Sequence, residues 1–144
     1  MPTWAGAVHD LKRMEDGEHQ VSPAEYAANI RTITHSLAKT GAGLIWCSTT
    51  PVPDVPMDEM SPPRLASDVA LFNKAAFEAV NASIAVGGVA IHDLYRHALP
   101  ELASIQLPKN VHFDDDGSAF LAKSVVAAVL GALDGERGPA RPKL

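Results

Sequence analysis

The chain has 144 residues, of which 47% are hydrophobic and 20% charged, a size and balance that fit one domain with its own core. A net charge of -5 excludes the basic surface on which non-specific nucleic-acid binding depends. The single cysteine, Cys47, excludes an internal disulfide, and no stretch is expected to be apolar for long enough to span a membrane. The opening Met1-Pro2-Thr3-Trp4 lacks the basic segment and apolar run of a signal peptide, so the compartment stays unknown.

In chain order, the apolar run from Trp4 to Val8 predicts a buried strand end that exits at His9-Asp10. Residues 11–21 are polar and carry the turn pair Asp16-Gly17. Ser22-Pro23-Ala24-Glu25 is a capping box with proline at the first helical position. Tyr26, Ile30, Ile33 and Leu37 recur behind it at helical spacing, and Gly41 and Gly43 end the pattern. Leu44 to Thr49 reads as a buried strand.

Five prolines make residues 50–67 a loop. Ser67-Asp68 is expected to cap a helix that buries Val69, Phe72, Ala76, Val80 and Ile84 and stops at Gly87-Gly88. Val89-Ala90-Ile91 is the next strand, followed by His92-Asp93 and a helical stretch from Leu94 to about Ser104. An acidic cap at Asp114 to Asp116 precedes a last helix from about Ser118 to Leu133, with Phe120, Leu121, Val125, Ala128 and Val129 turned inward. One domain over 1–134 and a disordered tail over 135–144 follow from this pattern.

Strands alternating with helices predict an α/β fold with a parallel sheet, whose reactive residues gather at the carboxyl ends of the strands. That rim would hold His9, Asp10, Ser48-Thr49-Thr50, His92 and Asp93, and the loop before the last helix could bring His112 to it. His92 and Asp93 read as an exit turn and helix cap, and His19, His35 and His97 as solvent-facing. His92 and His97 stand five apart, off the spacing that places two ligands on one helix face, so no metal site is expected, and no motif calls for a cofactor. Nothing sets Ser48, Thr49 or Thr50 on a nucleophile elbow, and Cys47 reads as buried core.

Three segments together resemble the SGNH (GDSL-type) ester hydrolases, in particular GDSL-like lipases and acylhydrolases. They are Val8-His9-Asp10-Leu11-Lys12, in the place of the family's third block; Ile45 to Pro53, similar to the strand and proline-led loop that follow it; and Asn110-Val111-His112-Phe113 with Asp116-Gly117, which looks like the last block. His92-Asp93-Leu94-Tyr95 adds to the likeness, which runs from Trp4 to Leu133 and rests on order and spacing. The resemblance implies a three-layer α/β/α domain with a flavodoxin-like parallel sheet, and a serine-type attack on an acyl or carbohydrate ester. His112 takes the general-base position, His9 the oxyanion position, and Asp10 a supporting one.

The sequence departs from the family where it matters for catalysis. No Gly-Asp-Ser block and no second-block glycine occur, so the chain supplies no nucleophile, and Lys109 stands where an acid often precedes the histidine. The expectation is an incomplete sheet lacking its first strands, a truncated form inactive alone, completed by an N-terminal half. The alternative is a non-catalytic α/β module that closes its exposed sheet edge by homodimerisation. A small-molecule ester is the substrate if the site is completed.

Overall fold

In the computed structural model, which describes residues 3–5, 8–83 and 88–136, the capping box does what its sequence predicts. The Glu25 amide donates to Ser22 Oγ (3.2 Å), and helix α1 runs over Pro23–Ala38. Its buried face is Tyr26, Ile30 and Thr34, while Ile33, expected inward, is largely exposed. Steps of four from Tyr26 drift round the helix to Thr34, and the stripe that meets the neighbouring helix α2 (Ala66–Ser83) follows that drift.

Three parallel strands, β1 (Thr3–Ala5), β2 (Leu44–Cys47) and β3 (Val89–His92), form one sheet in the order β1-β2-β3. Trp4 aligns with Trp46, and Trp46 with Ile91. The first strand stops before His9 rather than running to Val8, which lies in a turn. The second stops at Cys47, and Ser48 and Thr49 continue as buried, irregular chain. The alternation of side chains along a strand divides the sheet's residues. Leu44, Trp46 and Val89 join Tyr26, Ile30, Val69 and Phe72 in one core against α1 and α2, whereas His92 reaches Ser124 of the last helix.

Helix α2 spans Ala66–Ser83 and buries Val69, Phe72, Ala76 and Val80 as the spacing predicts; Ile84 and Gly87 lie outside the described residues. It starts one residue before the expected cap Ser67, and Asp68 lies inside its first turn. There Asp68 is a buried carboxylate gripped by Arg13, through Nε to Oδ2 (2.9 Å) and Nη2 to Oδ1 (2.8 Å). His19, expected in solvent, sits with them: its Nε2 is 3.2 Å from Asp68 Oδ2, too oblique for a hydrogen bond, and its ring packs on Phe72.

The expected helix from Leu94 is broken into α3 (Leu94–Ala98), a 3-10 turn (Leu99–Glu101) and α4 (Leu102–Ile105). Pro100 lies at the break and cannot supply the amide that a continuous helix needs. Helix α5 spans Asp115–Glu136, three residues earlier and three later than expected, so residues 135 and 136 of the expected tail are helical and 137–144 lie outside the described residues. Asp114 opens it: the Gly117 amide donates to Asp114 Oδ1 (2.7 Å) and the Ser118 amide to its carbonyl (2.8 Å).

One expectation is corrected by α5. Residues Asp115–Gly135 are long and apolar enough, by length and composition, to cross a membrane. Alanine, valine and leucine dominate this segment, and length and composition alone do not separate a span from a helix with one docked side. Phe120, Leu121, Val125 and Val129 are half-buried, while Val126 and Leu130 on the other side are each 55% exposed.

Candidate active-site groove

His9 and His112 come from opposite ends of the sequence and line one groove of about 380 Å³, together with Val8, Arg64, Phe113 and Ser118. His9 is exposed in the turn just past β1, where its carbonyl accepts from the Lys12 amide (3.3 Å). Burial raises the neighbouring Asp10 carboxyl above its ordinary value, partly offset by the closeness of His9. Asp10 makes no hydrogen bond among the described residues and does not line the groove.

His112 is presented by a small reversal of the chain. Gln106 and Phe113 form an antiparallel bridge, and the Leu107 amide donates to the His112 carbonyl (3.0 Å). Lys109, at φ 53°, makes the turn; Asn110 then accepts the His112 amide at Oδ1 (3.0 Å). Gln106 Nε2 donates to the Pro51 carbonyl (3.0 Å), fixing this reversal to the proline-rich loop. The imidazole of His112 has no carboxylate partner among the described residues. At the position where the resemblance expects an acid, Lys109 pairs instead with Glu59 across a 2.6 Å contact.

The loop, which ends at residue 65 and not at the expected 67, is fixed to the body of the protein rather than draped over it. Val52, Met60 and Arg64 are all buried, and Met57–Glu59 forms a 3-10 turn. Arg64 ties the loop to the exit of β1: Nε donates to the Val8 carbonyl (2.8 Å) and Nη1 to the Pro62 carbonyl (3.1 Å). The groove continues past Arg64, Val111 and His112 into a second depression of about 270 Å³ bordered by Glu59, Met60 and Lys109. Sequence reasoning missed Arg64 and Ser118. A lone arginine in a proline-rich loop has no spacing to mark it, and Ser118 is hidden inside a helix-start pattern.

The remaining rim residues have structural partners. Ser48 is buried, donates through Oγ to Asp93 Oδ1 (3.1 Å) and accepts the Tyr95 amide (2.8 Å). Asp93 also accepts the Arg96 amide (3.0 Å), so it caps α3. Thr49 exchanges two hydrogen bonds with the Asn73 amide group (2.8 and 2.9 Å). Neither hydroxyl faces the groove of His9 and His112. Cys47 is buried, and its thiol is pushed up by desolvation.

His92 lies apart from the groove, with Nε2 3.1 Å from Ser124 Oγ of α5. Burial and the nearby His97 lower its pKa, against the pull of Asp93, so the ring is neutral at pH 7. His97 stacks on Phe120 with ring centres 4.5 Å apart. Among the described residues no cluster of three His, Cys, Asp or Glu could hold a metal ion. No family model and no curated protein matches the chain.

Proposed function

We propose that this chain carries the histidine part of a serine-type ester hydrolase of the SGNH kind, with His112 as general base and His9 on the oxyanion side. The observation that carries this reading is the shared groove: two histidines 103 positions apart, from the turn after the first strand and the turn before the last helix, face the same space. Helices packed against both sides of a parallel sheet are what a three-layer, flavodoxin-like domain would have. An exposed imidazole can take a proton from an attacking hydroxyl, and a second imidazole can donate one hydrogen bond to the developing oxyanion.

The serine in this groove, Ser118, lies in the first turn of α5 and not on a strand-to-helix elbow. The nucleophile of the proposed reaction therefore belongs to a Gly-Asp-Ser block that these 144 residues do not contain, and the chain alone should not turn over esters. Reading the genomic frame upstream of Met1 tests this. An in-frame strand ending in such a block should yield, when expressed with the chain, an esterase for short-chain aryl esters. His112→Ala should cost that enzyme about a thousandfold or more in kcat, with Ser118→Ala near wild type. Full activity in His112→Ala, or turnover by the 144-residue chain that Ser118→Ala abolishes, would sink the assignment.

A second reading is favoured by a different observation. Strand β1 is one of the two edges of the described sheet, and α5 turns Val126 and Leu130 outward. These features suit a non-catalytic module that closes its edge by homodimerisation. A stable dimer with no hydrolytic activity in any extended form would favour this reading over the first.

A further inference from the structure

We infer that Arg64 is the anchor of a binding site for a small-molecule oxyanion, a carboxylate or a tetrahedral phosphate-like group, seated in the groove between His9 and His112. Arg64 carries a charge with no counter-charge among the described residues, although it is only 7% exposed. Its two hydrogen bonds, from Nε and Nη1, go to the neutral carbonyls of Val8 and Pro62. A buried charge is normally paired, because taking it out of water is costly. The buried carboxylate of Asp68 shows the ordinary arrangement, with Arg13 forked on it.

Geometry shows where the missing partner would sit. The two carbonyls hold the guanidinium through Nε and Nη1, and Nη2 makes no hydrogen bond among the described residues. Arg64 lines both depressions, at the point where they meet along Val111 and His112. His9 and His112 border the same space and can each add an N–H donor. The only carboxylate along either depression, Glu59, is already held by Lys109. Burial weakens the hold of the guanidinium on its proton, and no neighbouring acid among the described residues restores it. A guanidinium held in place with free N–H donors facing a groove is the arrangement that binds carboxylates and phosphates.

This inference stands whether or not the chain belongs to an esterase, because binding alone reports it. The full chain would be titrated with sodium sulfate and with sodium acetate, against sodium chloride at matched ionic strength. Thermal melting and amide NMR shifts would be followed together. Sulfate or acetate should raise the melting temperature beyond the chloride control and shift the amides of Val111, His112 and Phe113. Whichever anion binds tighter identifies the geometry, tetrahedral or planar.

Arg64→Lys, which keeps the charge but loses the fork, should weaken binding by about tenfold, and Arg64→Gln should abolish it. Anion effects equal to chloride, or shifts centred away from the groove, would overturn the inference. So would unchanged affinity in folded Arg64→Gln. Should both variants fail to fold, the wild-type shift map decides, and His112→Ala tests the same groove without disturbing the arginine's carbonyl contacts.

Discussion

Arg13 and Asp68, 55 residues apart in sequence, are joined by two hydrogen bonds of 2.9 and 2.8 Å, and the same guanidinium donates from Nη1 to the Gly17 carbonyl at 2.7 Å. One side chain thus closes the turn over residues 13–19 and fastens it to the first turn of α2. Gly17, at φ +82°, allows the reversal that brings its carbonyl round. Asp68 is almost wholly enclosed, and the fork raises the Arg13 pKa through its hydrogen bond to that carboxylate.

Removing only the arginine should therefore be expensive for the fold. Arg13→Met leaves Asp68 buried without its fork and should lower stability by about 3 kcal/mol in urea titration. The double variant Arg13→Met with Asp68→Leu should recover part of that loss, since no buried charge is left unpaired. A double variant as unstable as the sum of the single ones would show that the pair is not coupled.

Two of the three glycines within α5, Gly117 and Gly131, should respond in opposite directions to alanine. Gly131 has open space around it, so Gly131→Ala should stabilise by up to about 1 kcal/mol through helix propensity. At Gly117 a Cβ would collide with the backbone oxygen and Cβ of Ile105, so Gly117→Ala should destabilise by about 1–3 kcal/mol despite the same propensity gain. Thermal melts of the two variants side by side would read the difference in sign. Stabilisation by both would mean that α5 does not dock on Ile105 as described.

His92 sets a pH dependence whose sign follows from its environment. Burial lowers its folded-state pKa below the ordinary value of 6.5, so between the two values the unfolded chain binds more protons. This contribution to stability is present above pH 6.5 and is lost as pH falls through the folded value. Melting temperature should fall on acidification below 6.5, and His92→Gln should flatten that part of the profile. An imidazole NMR titration with a midpoint at or above 6.5 would contradict the assigned burial.

The outward side of α5 offers a check on self-association. Val126 and Leu130 are each 55% exposed, so Leu130→Lys should change folding stability by less than about 0.5 kcal/mol. If copies of the chain pair through this face, the same change should convert a dimer to a monomer in light scattering. A dimer that survives the lysine would place the contact elsewhere, with the edge of β1 as the next surface to examine.

The sequence alone determined the parts of this protein that depend on neighbours in the chain. The capping box at Ser22, the buried run Leu44–Cys47, the stripe Val69, Phe72, Ala76 and Val80, and the Asp93 cap were all legible, because each is written in a few adjacent residues or in one helical period. Rules of α/β topology could also place His9 and His112 near one rim in advance.

The tertiary structure decided what depends on residues far apart. Asp68 looked like a cap and is a buried ion-pair partner, because Arg13 lies 55 positions away and no local pattern records it. His19 looked solvent-facing and lies against Phe72. Arg64 lies in a stretch that the sequence marked only as a proline-rich loop. Only the folded chain shows its charge enclosed, held by two carbonyls and turned toward the groove, because burial is a property of everything that packs around a side chain rather than of the side chain itself.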